Sequence, residues 1–316
     1  MNIVDTALFR YTLALREPLV LSRGTLTERQ GLLVRLMDDL GYQHWGEAAP
    51  LPGFSRETLD TAEAQLMALA EVLRSLSWND ALREVAGRRA RLAASVCCAL
   101  DMALVPDMTP AEGRHAIASA YLLPVEPNEI PSAARTAAAA GYSRLKLKVG
   151  RRDLEEEAAL ACRVAATLPP GVSLRLDANR AWDLPSARAF CAALDFVPDF
   201  LEEPLQNARE IPDLAAHSSV PLALDESLAE PELESTIEHL LPHVRALVWK
   251  PTLCAYSLHD LLAIAGKAEA PVQLVVSAAF ESGVALCAFT RYAASLPGHA
   301  PAGIDTYRWL AADVLY

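Results

Sequence analysis

The sequence lacks the features of a membrane-spanning, secreted or nucleotide-binding protein. It has no uncharged apolar run of about 18 residues, the length that a membrane-spanning helix needs. It has neither a Gly-x-Gly-x-x-Gly pattern nor a Walker loop, which bind nucleotides in open α/β sheets. Asp5, Arg10 and Glu17 lie within the start of the sequence, so we expect no signal peptide there and a cytoplasmic protein.

Cysteine and positive charge are both scarce. The six cysteines are scattered without a Cys-x-x-Cys pair, and we interpret them as reduced, buried thiols. Lysine and arginine number 28 against 40 aspartates and glutamates, which gives a net charge of −12. This balance argues against nucleic acid and anionic membranes as partners. A small-molecule substrate remains, and an acidic one would need local positive charge in its site.

The chain is rich in apolar residues, and its first third predicts a capping domain. Of 316 residues, 52% are hydrophobic and 22% are charged, which is typical of a globular chain with a large core. Residues 1–106 predict an α+β unit, with three strands in an antiparallel meander followed by helices. The predicted strands cover residues 3–15, 31–37 and 42–47, a polar turn covers 21–25, and helices cover about 55–76 and 87–104. A Pro-Leu-Pro-Gly loop presents Phe54, either as a local core plug or as a substrate lid.

From residue 118 onward, short strand-like runs alternate with amphipathic helical runs. The strand candidates are residues 118–122, 144–149, 173–179, 200–204, 221–227, 246–251, 272–278 and 302–305, and the helical candidates are 154–167, 185–194, 232–241, 258–268 and 284–296. Such alternation predicts parallel strands with right-handed crossovers. We therefore expect residues 107–316 to form a modified (β/α)8 TIM-type barrel, with the C-terminal residues returning to the cap. A doubly wound open sheet is the competing architecture.

Charged residues stand near the carboxyl ends of five successive strand candidates, about one βα unit apart. They are Lys146 and Lys148, Asp177, Glu202 and Glu203, Asp225, and Lys250. In a barrel these ends meet at one mouth, where barrel enzymes carry their chemistry. Ionisable groups are rarely buried without a partner or a metal. The pattern therefore predicts an active site rather than a solvated edge.

The acidic members of this set predict a magnesium site. Asp177, one of the two glutamates at 202 and 203, and Asp225 would converge from consecutive strands and repel one another without a cation. Ligands that offer only oxygen favour a hard ion such as Mg²⁺. No histidine or cysteine stands at these strand ends, which argues against zinc or copper.

Lysines on both sides of this site suggest proton abstraction from a carboxylate substrate. The metal would stabilise the enediolate that forms when a lysine removes the α-proton. Burial, the neighbouring Lys146 and the metal would each lower the pKa of Lys148, which suits it to act as the base. Lys250, across the ring, would hold positive charge against the other face.

The motifs taken together resemble a known family. Lys-x-Lys, Asp-x-Asn, Glu-Glu-Pro, Asp-Glu-Ser and Lys-Pro-Thr, in this order, resemble the muconate-lactonizing subgroup of the enolase superfamily. The longer strings Gly-Glu-Ala-Ala-Pro-Leu-Pro-Gly-Phe-Ser-Arg-Glu-Thr at 46–58, Leu-Arg-Leu-Asp-Ala-Asn-Arg-Ala-Trp at 174–182 and Lys-Pro-Thr-Leu at 250–253 are similar to the o-succinylbenzoate synthase family. The resemblance covers cap and barrel alike.

The resemblance implies a hydro-lyase of menaquinone biosynthesis that dehydrates 2-succinyl-6-hydroxy-2,4-cyclohexadiene-1-carboxylate to o-succinylbenzoate. It implies that Lys148 removes the proton and assists the departure of hydroxide, and that Lys250 stabilises the enolate. It also implies that Asp177, Glu202 and Asp225 bind Mg²⁺, with Mn²⁺ as a substitute. A monomer or small homo-oligomer is expected.

Five further residues are candidates for substrate contact: Lys146, Arg175, Asn179, Phe54 and Ser277. The chain departs from the family after Ser277, where alanines stand in place of a serine-rich run near the succinyl group. Two alternatives to the synthase remain. One is an N-acylamino acid racemase or dipeptide epimerase that uses the same two lysines, and the other is a non-catalytic ligand-binding barrel.

Overall fold

The computed structural model of the chain describes residues 1–21, 24–105, 117–230 and 237–315. The expected boundary between cap and barrel at residue 106 lies outside the described residues. So do the centre of the predicted turn at 21–25 and the start of the helix predicted at 232–241. No helix among the described residues is long and apolar enough to cross a membrane.

The N-terminal strands form the expected antiparallel meander, in the order β1-β2-β3. They are β1 (Ile3–Leu21), β2 (Gly24–Asp38) and β3 (Gln43–Ala48). The first two strands are longer than predicted, because residues 16–20 and 24–28 are largely exposed and show no apolar alternation. Their register shifts between Ala14 and Leu19, around Pro18, which has no N–H to donate to a neighbouring strand.

Three helices cover one face of this sheet, namely α1 (Leu59–Leu73), α2 (Trp78–Arg88) and α3 (Ala94–Leu104). They pack on Leu32, Val34 and Leu36 of β2, which are buried. The single helix predicted over 87–104 is wrong, because a 3-10 turn at Arg89–Arg91 and extended backbone at Leu92 separate α2 from α3. That break lets α3 pack against β3 so closely that a Cβ on Gly46 would lie 1.8 Å from the carbonyl oxygen of Ala99.

The second sheet has seven parallel strands in the order β10-β9-β8-β7-β6-β5-β4. They are β4 (Tyr121–Leu122), β5 (Arg144–Lys148), β6 (Ser173–Asp177), β7 (Phe200–Glu202), β8 (Leu222–Leu224), β9 (Ala246–Trp249) and β10 (Gln273–Val276). The eighth predicted strand, at 302–305, is reduced to two parallel bridges, from Ala302 to Ser119 and from Gly303 to Ser277. These bridges join the two edges of the sheet, so the TIM-type prediction is confirmed over the open sheet.

Helices alternate with these strands and cover the outside of the barrel. They are α4 (Ile130–Ala139), α5 (Leu154–Ala166), α6 (Leu184–Ala193), α7 (Ile211–Ala215), α8 (Ile237–Leu240), α9 (Leu258–Ala265) and α10 (Gly283–Ser295). Leu145 and Leu147 of β5 pack in the large apolar cluster with helix residues such as Ala161 and Phe190. Side chains alternate along a strand, so Lys146 and Lys148 must face the barrel interior.

Candidate active site

Three carboxylates gather at the carboxyl ends of β6, β7 and β8. Asp177 and Glu202 are paired in register on neighbouring strands, and Asp225 directly follows β8. Their side chains are buried, with Asp177 0%, Glu202 1% and Asp225 4% exposed, and one oxygen of each lies within 4.8 Å of the others. Buried carboxylates this close need positive charge between them. The donor set, all oxygen, fits a divalent metal ion such as Mg²⁺.

Three lysines surround this carboxylate cluster. Lys146 Nζ lies 2.7 Å from Asp177 Oδ2 and 2.7 Å from Glu202 Oε1. Lys148 Nζ lies 2.6 Å from Asp177 Oδ2 and donates to Asn179 Oδ1 at 2.7 Å. Lys250, which directly follows β9, donates to Asp225 Oδ2 from the other side of the cluster.

The three lysines differ in their electrostatic environment. Burial disfavours the ammonium of Lys148 and, with repulsion from Lys146, outweighs the attraction of Asp177, so the pKa of Lys148 lies below its usual value. Burial also acts on Lys146 and Lys250, but the carboxylates beside them prevail and raise the pKa of each. Lys148 is therefore the lysine best suited to become neutral and accept a proton.

The pKa values of the three carboxylates show that the cluster needs positive charge to stay ionised. Burial, followed by repulsion from Asp177, raises the pKa of Glu202 to about 8. Burial also raises the pKa of Asp225, against the attraction of Lys250. At Asp177 the ammonium groups of Lys146 and Lys148 overcome burial and hold the pKa of the carboxyl well below its usual range.

The two adjacent glutamates have different surroundings. Glu202 points into the cluster, whereas Glu203 has a φ of +43° and turns out of it. The Glu203 carboxylate accepts hydrogen bonds from the backbone N–H of Asp225 at 2.7 Å and from the N–H and hydroxyl of Ser227, both at 2.8 Å. Glu203 therefore shapes the loop that carries Asp225, and the geometry agrees with the choice of Glu202 that the family resemblance suggested.

The cluster opens into a cavity of about 520 Å³ between the barrel mouth and the cap. Of the predicted site residues, the cavity wall includes Lys146, Lys148, Asn179, Lys250, Ser277 and Phe54. Phe54 also packs on the apolar cluster that contains Leu51 and Phe280, so it is a packed part of the wall. The Ser277 hydroxyl donates to the carbonyl of Gly303 at 3.2 Å.

Arg175 is the predicted contact that does not line this cavity. It faces the barrel interior like Asp177, but it precedes Asp177 by two residues and lies about 7 Å deeper along the strand. Its guanidinium donates to Asp199 Oδ2 at 2.8 Å and to the Pro301 carbonyl at 2.7 Å. Arg175 therefore holds parts of the barrel interior together, and its contact with substrate stays a prediction.

Sequence reasoning missed other residues of the cavity wall. Asp305, Thr306 and Trp309 line it from the segment that follows the last barrel strand. Their position after a strand end was the available signal, because barrel enzymes build their sites from such loops. Leu19 of β1 also lines the cavity, and no signal marked it, because the predicted strand ended too early.

The fold and site define the class of this protein. A family described as Enolase C-terminal domain-like matches residues 129–316, and one described as MenC, N-terminal domain, matches residues 3–105. The described barrel, with its carboxylate cluster and flanking lysines, is thus that of the enolase superfamily.

Known relatives narrow the class further. The chain is 31% identical to the o-succinylbenzoate synthase of Haemophilus influenzae, over 98% of this chain and 91% of that one. It is likewise 31% identical to the enzyme of that name from Yersinia enterocolitica, over 98% and 92% of the two chains. The chain belongs to the o-succinylbenzoate synthase family.

Solved structures agree in fold. The o-succinylbenzoate synthase from Thermosynechococcus elongatus BP-1, complexed with Mg in the active site, is 25% identical with a TM-score of 0.81, covering 99% of this chain and 96% of that one. The L-Ala-D/L-Glu epimerase from Bacillus subtilis has a TM-score of 0.84 at 21% identity, covering 99% and 92%. At that identity the epimerase shows a shared fold alone.

Proposed function

We propose that this protein is a Mg²⁺-dependent o-succinylbenzoate synthase that dehydrates 2-succinyl-6-hydroxy-2,4-cyclohexadiene-1-carboxylate in menaquinone biosynthesis. The observation that carries the proposal is the buried cluster of three carboxylates with a lysine on either side, beside a cavity between the barrel mouth and the cap. Relatives named o-succinylbenzoate synthase, which align over nearly the whole chain, support the choice of reaction.

Proton removal falls to Lys148. Mg²⁺ held by Asp177, Glu202 and Asp225 would supply positive charge that stabilises the negative charge left on the substrate carboxylate. Neutral Lys148 takes the proton from the carbon next to that carboxylate, and the electrons of the broken C–H bond move toward the carboxylate. The lysine ammonium then gives its proton to the leaving hydroxyl. The C–O bond breaks, water departs, and the ring becomes aromatic.

The two other lysines remain charged through this sequence. Lys250, whose pKa is raised by Asp225 against the effect of burial, keeps its ammonium opposite Lys148 and stabilises the enolate. Lys146, held between Asp177 and Glu202, keeps positive charge close to Lys148 and favours the neutral form of that base. Asn179 accepts a hydrogen bond from Lys148 and orients its amine.

Related proposals complete the assignment. We infer that Mn²⁺ can replace Mg²⁺, because the cluster offers only oxygen ligands. We also infer that the capping domain ends near residue 106 and that the protein acts in the cytoplasm on a small carboxylate, as a monomer or small homo-oligomer.

Racemisation of an N-acylamino acid is the second candidate function. Lys148 and Lys250 reach the carboxylate cluster from opposite sides, as a reaction with two bases requires. The raised pKa of Lys250 disfavours the neutral form that would act as the second base, which favours the synthase.

A spectroscopic assay separates the two candidates. The purified protein, loaded with Mg²⁺, is given the cyclohexadiene substrate and, separately, a panel of N-succinylamino acids. We expect the absorbance of the aromatic product to appear only when Mg²⁺ is present. The kcat/KM of this dehydration should exceed that of racemisation for every N-succinylamino acid in the panel. Racemisation without formation of the aromatic product would reject the synthase.

A further inference from the structure

Glu47, at the end of β3 in the cap, is fully buried outside the carboxylate cluster. Its carboxylate accepts hydrogen bonds from the start of α10 in the barrel: from the Ser282 N–H at 2.9 Å, the Ser282 hydroxyl, and the Ala285 N–H at 3.0 Å. Tyr11 of β1 donates a further hydrogen bond to it. Free N–H groups and the helix dipole favour an anion at this end of a 13-residue helix. Glu47 therefore joins the cap to the barrel.

Both sides of this junction lead directly into the wall of the substrate cavity. In the cap, Glu47 is followed by the loop that carries Leu51 and Phe54, and in the barrel Ser282 is preceded by Ala279 and Phe280. These four residues all line the cavity. Leu51, Ala279 and Phe280 also belong to one buried apolar cluster. A shift at the junction would therefore change the distance between the cap side and the barrel side of the cavity wall.

Each of the two loops is held in shape by a buried charge of its own. Arg29, 1% exposed, donates to the carbonyl of Pro50 at 2.7 Å and to the carbonyl of Ala49. Glu281, fully buried, accepts from the N–H of Ala279 at 2.5 Å and from the hydroxyl of Thr252. Glu47 thus connects two loops that are each internally fixed.

We propose that Glu47 is a positioning residue that sets the spacing between the cap loop at 49–54 and the barrel loop at 278–282, and thereby the selectivity for the length of the substrate's acyl arm. This inference rests on the proposed function, in which the cavity holds a succinyl arm. Glu47 touches no residue of the lysine and carboxylate cluster, so its effect should fall on substrate binding more than on the chemical step.

Glu47→Gln tests this, because the neutral amide cannot accept from every donor that surrounds the native carboxylate. Calorimetry on the Mg²⁺-loaded protein gives the dissociation constants of o-succinylbenzoate and of 2-acetylbenzoate, which has a shorter arm. We expect binding of o-succinylbenzoate to weaken about tenfold and that of 2-acetylbenzoate by less than about twofold, since small misplacements in a site are costly. KM should rise while kcat stays within about twofold. Hydrogen exchange should accelerate at the amides of Ser282 and Ala285.

Arg89→Met is the matched control. Arg89 also crosses from cap to barrel, donating to the carbonyl of Ala255 at 2.7 Å, but neither residue lines the substrate cavity. We expect it to lower thermal stability and leave the ratio of the two dissociation constants unchanged. Ser282→Ala removes one hydrogen bond of the junction and serves if Glu47→Gln does not fold; it should shift the ratio in the same direction.

An unchanged ratio in the junction variants, or an equal change in Arg89→Met, would overturn the positioning role, because either result means that Glu47 only adds stability. Failure of the wild-type protein to bind o-succinylbenzoate or to form it would overturn the proposed function and this inference with it. Wild-type turnover combined with an unchanged ratio in the variants would overturn this inference alone.

Discussion

Replacing each of two adjacent glutamates by glutamine should change the stability of the metal-free protein by different amounts. In Glu202→Gln a buried carboxyl group, whose ionised form Asp177 repels, is replaced by a neutral amide. The pKa of Glu202 in the folded protein, about 8, lies above the 4.5 of an unperturbed glutamate. Between those pH values the folded protein holds a proton that the unfolded chain has lost, so stability falls as pH rises. At pH 7 the substitution should therefore raise the free energy of unfolding, by at most about 3 kcal/mol.

Glu203→Gln should have a smaller effect, although burial also raises the pKa of Glu203, to about 7. Its carboxylate accepts from the N–H groups of Asp225 and Ser227 and from the Ser227 hydroxyl, and it pairs with Arg180. An amide can replace only some of these contacts, and a buried hydrogen bond to a charged group is worth about 1.5–3 kcal/mol. Arg180 keeps its pairing with Glu230, and the loss of the hydrogen bonds offsets the benefit of removing a buried charge. We therefore expect the free energy of unfolding at pH 7 to change by less than about 1.5 kcal/mol.

Urea unfolding at pH 7, with EDTA and then with excess Mg²⁺, measures both effects. Mg²⁺ at 100 times its dissociation constant should stabilise the wild type by about 2.7 kcal/mol. Glu203→Gln should keep most of this gain, and Glu202→Gln should lose it. The assignment of Glu202 as the ligand would be refuted if Glu202→Gln kept the full gain from Mg²⁺ while Glu203→Gln lost it at unchanged stability.

Three other substitutions test separate parts of the site. Lys148→Ala should lower kcat by at least about 10²–10⁴-fold while calorimetry still shows Mg²⁺ binding, and near-normal turnover would reject its role as the base. Lys146→Met removes a positive charge that lowers the pKa of Lys148, so the acidic limb of the pH profile of kcat/KM should move to higher pH; an unmoved limb would mean that another group is titrating. Arg175→Met should lower the melting temperature without a specific rise in KM, because Arg175 bonds to Asp199 and Pro301; a large rise in KM at unchanged stability would support its predicted substrate contact.

Much of the fold and the candidate site could be predicted because the barrel repeats one simple rule. Five successive strands carry charged residues at the same end, and parallel strands bring those ends together. Lys148, Asp177 and Lys250 therefore met where their spacing placed them. The helices at Leu154–Ala166 and Leu184–Ala193 also began and ended within two residues of the predicted bounds.

What the sequence could not show depends on backbone turns and on depth. Glu202 and Glu203 are chemically alike, and only the positive φ of Glu203 separates their roles. Arg175 shares the interior face with Asp177, but periodicity does not show how deep in the barrel a residue lies. The break in the helix predicted over 87–104 falls among apolar and basic residues that carry no proline, so no local signal marked it.

The charges of the site suggest why one lysine can become a base in it. Three ammonium groups and three carboxylates contact one another directly, so the cluster is balanced when all six are ionised. A divalent cation among the carboxylates adds two positive charges, and the carboxylate of a substrate removes one. Counted over these six groups, the metal and the substrate carboxylate, the remaining excess is one positive charge, which burial penalises. Loss of one proton restores the balance, and Lys148 is the member whose pKa already lies below its usual value. Binding of metal and substrate would thus favour the neutral base at the moment when its target proton is in place.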